Sequence, residues 1–63
     1  MTRPAPGLMA THNGIPVEFL YLVGADRDGQ TWRVRPLFIE APEIDRHIRT
    51  YDRITPLHIK FPR

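Results

Sequence analysis

"EAPEIDRHIRTYDRI", residues 40–54, decides what kind of domain this chain builds. Read at 3.6 residues per turn, Ile44, Ile48 and Tyr51 fall on one stripe, at i, i+4 and i+7. Pro42 suits the first helical position, Glu43 and Asp45 complement the positive end of a helix dipole, and Arg49 lies near the opposite end. The spacing therefore predicts a short helix over 42–52. A competing reading makes 46–50 a turn into a further strand. The first gives an α+β domain and the second an all-β one.

Upstream the pattern is extended. Ile15 to Val23 is rich in β-branched and aromatic residues, with Val17, Phe19, Tyr21 and Val23 on one face. Glu18 is the single charge on the other, so the strand is covered on much of both sides. Asp28-Gly29 supplies a tight hairpin turn. A second strand runs over 31–40, with Trp32, Val34, Pro36 and Phe38 on one face and Arg33, Arg35, Leu37 and Ile39 on the other. Pro36 cannot donate to a ladder and belongs at an edge or a bulge. A third strand is expected over 54–61. Pro4, Pro6 and Gly7 mark residues 1–14 as a flexible arm that ends in the Asn13-Gly14 turn, leaving 15–63 as a single small β-rich domain. The expected fold is α+β: a small antiparallel sheet, made of the hairpin plus a third strand, with one short helix.

Composition limits the chemistry. A chain of 63 residues is one domain at most, and such a domain buries only about 60% of the surface its unfolded chain exposes. The thin core and the open sheet edges lead us to expect a homo-oligomer or a protein partner. There is no cysteine, which excludes disulfides and thiolate zinc sites and fits a reducing cytosol. No apolar run approaches the roughly 20 residues that span a bilayer, and residues 1–14 lack the apolar core of a signal peptide. A soluble, cytoplasmic protein is expected, with no membrane association. Serine is absent too, so the two commonest covalent nucleophiles are missing. His12, His47 and His58 match no metal-ligand spacing, and no glycine-rich phosphate loop is present. The expectation is no enzyme, no cofactor and no metal.

What remains is charge. Residues 1–30 sum to −1 and residues 31–63 to +3, and all but one of the bases in the second half are arginine. Guanidinium is the planar fork that suits phosphate and carboxylate, although codon bias toward arginine explains the excess equally well. Arg33 and Arg35 share one strand face about 7 Å apart, close to the spacing of successive phosphates along a single nucleic-acid strand. Trp32 and Tyr51 are the candidate stacking planes nearby; Trp32 is first a core residue, as large aromatics of small domains usually are.

The stretch "VEFLYLVGADRDGQTWRVRPLFI", residues 17–39, resembles the opening strands of WYL domains, with Tyr21 ending the apolar strand and Val34, Arg35, Pro36 and Leu37 in the following motif. "IRTYDRITPLHI", residues 48–59, is similar to a late strand of that family, through Arg49, Thr50, Tyr51, Asp52, Arg53 and Ile54. WYL domains are Sm-like small β-barrels attached to regulators, where a basic patch senses ligands or nucleic acid. The resemblance thus implies the alternative fold, an all-β Sm-like small barrel, and anion-binding roles for Arg33, Arg35, Arg49 and Arg53. Arg46 and Lys60 complete the candidate anion-binding set. Two functions are left: a regulatory module whose arginine-rich face contacts nucleic acid or another anionic ligand, and a protein-interaction module, of the kind mobile elements encode, that modulates a host protein.

Overall fold

The computed structural model describes residues 2–58. It overturns the α+β expectation. Among the described residues there is no helix, and five antiparallel strands form one sheet in the order β4-β3-β2-β1-β5. The strands are β1 (Met9–His12), β2 (Ile15–Asp26), β3 (Gly29–Pro36), β4 (Ile44–Arg49) and β5 (Ile54–Pro56). The all-β alternative is the one the structure fits.

The helix predicted over 42–52 is β4 and a turn. Its period-two pattern is hidden because Arg46 occupies an inward slot: Ile44, Arg46 and Ile48 lie opposite Val34, Trp32 and Gln30 of β3. A helix there would also have left the backbone edge of β3 unpaired in a domain with little else to cover it. Met9–His12, assigned to the arm by the nearby prolines, pairs with β2 through a tight turn in which Asn13 and Gly14 have φ of 50° and 88°. Two consecutive positive φ values are what a type I′ hairpin turn requires, which is why Asn-Gly stands there. The third strand ends at Pro56 within the described residues, and the part expected over 59–61 lies outside them.

β2 breaks its own alternation twice. Register shifts between Phe19 and Tyr21 and between Leu22 and Gly24 insert extra residues opposite β3. After the first bulge Tyr21 lies opposite Arg33, on the outer face, so it is half exposed rather than packed beside Phe19. Such bulges bend a strand and strengthen its twist.

The bend is needed because the sheet must curl. Laid flat, β4 and β5 would lie four strand spacings apart, about 19 Å. Only Thr50–Arg53 join them, a reach of about 17 Å when fully extended, and that segment is folded into a turn in which the Asp52 amide donates to the Arg49 carbonyl at 3.0 Å. The two edges therefore swing toward each other around Ala10, Val17, Phe19, Trp32, Val34 and Ile48, the buried hydrophobic core. Phe19 and Trp32 meet edge to face with centroids 5.8 Å apart, the geometry their ring quadrupoles favour. The Trp32 indole N–H donates to Gln30 Oε1 at 2.9 Å, so its burial leaves no orphaned donor. No helix among the described residues is long and apolar enough to cross a membrane.

Candidate functional site

The curl brings together residues that are far apart in both sequence and sheet order. His12 projects inward from β1 and is buried, as the partner of Ile15 and Ile54 in the neighbouring strands. Its Nε2 lies 2.7 Å from Asp52 Oδ2, and Arg46 Nε donates to its Nδ1 at 2.6 Å. Arginine has no acceptor to offer, so Nδ1 must be the unprotonated nitrogen and Nε2 must carry the hydrogen given to Asp52. His12 is thus a neutral imidazole wedged between a guanidinium and a carboxylate. It ties β1 to β4 and to the turn between β4 and β5, across the open side of the sheet.

Asp52 is the hub of that turn. Besides the His12 N–H it accepts the backbone amide of Arg49 at 2.8 Å. The His12 hydrogen bond first, and the Arg49 amide second, hold its carboxyl down at about 2, against an ordinary value of 3.8. Asn13 closes the other side: its amide donates to the Arg53 carbonyl and its Oδ1 accepts the Arg53 amide, both at 2.9 Å. A carboxyl whose folded pKa is depressed contributes stability above its ordinary pKa and loses that contribution as pH falls through the folded value. Acid titration of the fold should therefore show a loss between about pH 4 and 2 that is absent in Asp52→Asn, which starts from lower stability at neutral pH. Circular dichroism melts across that interval check this; parallel curves for the two proteins would contradict it.

With Asp52 turned inward, the turn shows only its other side chains. Arg49, Tyr51 and Arg53 are exposed, Tyr51 to 77%, and among the described residues neither arginine has a carboxylate partner. Arg49 and Arg53 stand two positions to either side of Tyr51 in a backbone pinned at both ends.

The other arginines singled out in the sequence are placed differently. Arg33 Nε is 2.8 Å from Asp45 Oδ1 on β4, although the N–H is not aimed well enough to count as a hydrogen bond. Arg35 is ion-paired with Glu18 on β2. These two do share the outer face of β3, but each faces a carboxylate across the strand. The Arg33, Asp45 and Arg35 side chains are open to water and Glu18 less so, so the pairs contribute little stability while still cancelling the local field. Arg46 is committed to His12. Lys60 lies outside the described residues. Trp32 is 5% exposed and sits in the core, where it offers no stacking face.

His12 and Asp52 as a pair escaped sequence reading, being 40 positions apart. One signal was present: Asn13-Gly14 between two extended stretches marks a hairpin, which would have put Ala10 and His12 together on one face of a strand. No cluster of three metal-ligating side chains occurs among the described residues. Compared with known proteins, the chain matches no family model, no curated relative and no solved structure.

Proposed function

We propose that the chain is a small, non-enzymatic regulatory binding module of the cytoplasm that contacts nucleic acid through Arg49, Tyr51 and Arg53. The observation that carries this reading is the inward Asp52, which removes the turn's one carboxylate from the surface and leaves Tyr51 exposed between Arg49 and Arg53, neither of which has an ion-pair partner among the described residues. Guanidinium groups beside a stacking plane are the elements by which proteins hold a single strand. Arg33 and Arg35 stand behind the turn in this reading, since an incoming phosphate has to displace Asp45 or Glu18 to reach them. The kinship suggested by the WYL-like motifs points the same way for Arg49 and Arg53.

Fluorescence titration of labelled single- and double-stranded oligonucleotides at two salt concentrations tests the reading. Affinity should fall steeply with salt, and each of Arg49→Ala and Arg53→Ala should lower the log–log salt slope by about 0.7–0.9. Tyr51→Ala should cost about 1–3 kcal/mol of binding through lost stacking. Arg33→Ala and Arg35→Ala should change little. A flat titration with the wild-type protein would overturn the proposal.

The second reading, a protein-interaction module that modulates a host protein, is favoured by one different observation. Phe38 and Ile39 are 76% and 68% exposed at the end of the sheet away from the turn. Under that reading the oligonucleotide titrations stay flat and one partner copurifies in fixed stoichiometry.

A further inference from the structure

The loop between β3 and β4 holds Phe38 at a φ of +66°. For a bulky side chain that is an outlier, and such strain persists only where the surroundings impose it. Here the loop is tied down at both ends. Leu37 donates its amide to the Pro16 carbonyl at 3.1 Å, and Arg33 reaches the Glu43 carbonyl. The strained backbone sets Phe38 and Ile39 out in water rather than in the core. Around them the loop is acidic: Glu40 and Glu43 are exposed, residues 36–45 contain no base, and neither glutamate has an ion-pair partner among the described residues.

The opposite end of β4 has the complementary character. A cleft of about 460 Å³ opens there between the hairpin tip, the end of β4 and the first residues of the chain. Ala25, Ile48 and Ile54 form apolar wall; of the charged residues that line it, Asp52 is turned to His12 and Asp26 is held by the turn amides and His47, whereas Arg3 and Arg49 have no ion-pair partners among the described residues. A phenyl-sized guest fits a cavity of about 150 Å³, so the opening admits an aromatic side chain with room for its neighbour. One end of the chain thus offers an aromatic knob with an acidic rim, and the other an apolar cleft whose unpaired charges, among the described residues, are Arg3 and Arg49.

We propose that the occupant of the cleft is Phe38 of a second copy of this chain, with Glu40 and Glu43 of that copy beside Arg49 and Arg3. The two surfaces are at opposite ends of β4 and cannot meet within one molecule. The contact is therefore head to tail, and it propagates to a ring or an open chain according to the rotation per step. It also uses Arg49, so nucleic acid bound at the turn and a neighbouring copy exclude each other, although the contact does not depend on that binding.

Sedimentation velocity over a range of protein concentration tests this. The wild-type protein should associate beyond a dimer, and less so at high salt, which screens the rim charges. Phe38→Asn keeps a residue that tolerates positive φ and removes the knob; its melting temperature should hold or rise while self-association is lost. Arg49→Glu reverses the rim of the cleft and should also be monomeric alone. Mixed, the two variants retain one good knob and one good cleft between them and should form a dimer and nothing larger. A wild-type protein that stays monomeric throughout, a Phe38→Asn variant that still assembles, or a mixture that fails to dimerise would each overturn the proposal.

Discussion

His12→Ala should leave much of the protein unfolded at room temperature. The substitution removes the one side chain that answers both Arg46 Nε and Asp52 Oδ2, in a part-buried site where the Asp52 side chain is 5% exposed. Leaving a buried polar group unsatisfied costs about 1–3 kcal/mol, more when it is charged. The guanidinium loses this partner outright and the carboxylate is left with the Arg49 amide, so a loss of about 3 kcal/mol is expected. A single core in a domain of this size rarely supplies more than about 3–5 kcal/mol, so that loss is most of the total. Urea titration followed by tryptophan fluorescence reads it directly, because Trp32 lies opposite Arg46 across β3 and β4. Arg46→Met is the informative companion: it keeps the stem that packs beside Trp32 and removes only the donor, and should cost less than His12→Ala.

Gly29→Ala should be as damaging, for a steric reason. A methyl group on Gly29 would lie 2.0 Å from the Ile48 carbonyl oxygen and 2.8 Å from the Arg49 Cα. Both are backbone atoms of the paired strand and cannot move aside as a flexible side chain can. Gly29 also has a φ of +155°, which L residues rarely adopt. It closes the β2–β3 turn, where the Asp26 carboxylate accepts the amides of Asp28 at 2.8 Å and Gly29 at 2.9 Å. Relieving the clash means separating β3 from β4 at that end, which also breaks the hydrogen bond from the Thr50 amide to the Asp28 carbonyl. The expected cost is on the order of 3 kcal/mol. Gly24→Ala is the control: a Cβ there meets nothing within 4 Å, and the midpoint of denaturation should barely move. Equal midpoints for the two variants would contradict the pairing of Gly29 with Arg49.

The hairpin of β2 and β3 was legible in the sequence, because Asp28-Gly29 between two extended runs has few other readings. β4 was not. Pro42, Glu43, Asp45 and Arg49 are placed as a helix would place them, and the arginine at 46 breaks the apolar alternation that would have announced a strand. Arg46 points inward only because His12 is there to receive it, and that depends on the sheet curling, a property of the whole topology rather than of any window. The same dependence hid the partner of Arg33: Asp45 comes opposite it only once 44–49 is a strand in this register. Bulges near Leu20 and Val23 left no mark on the sequence, so alternation alone puts Tyr21 on one face with Val17 and Phe19. Among the site residues, Arg49, Tyr51 and Arg53 could be named from composition and motif. Their exposure could not, since it follows from Asp52 turning toward a histidine 40 residues away.

The closure of the sheet through His12 holds the turn, and the turn carries the proposed function, so the protonation pattern of that ring is the most direct test of the account. Long-range proton–nitrogen correlation spectra of the histidines near neutral pH should show His12 as a single neutral tautomer, with the hydrogen on Nε2 protected from solvent exchange and Nδ1 unprotonated. An imidazole that exchanges freely between tautomers, or one with the hydrogen on Nδ1, would mean that Arg46 and Asp52 do not meet it and that the sheet is not closed there.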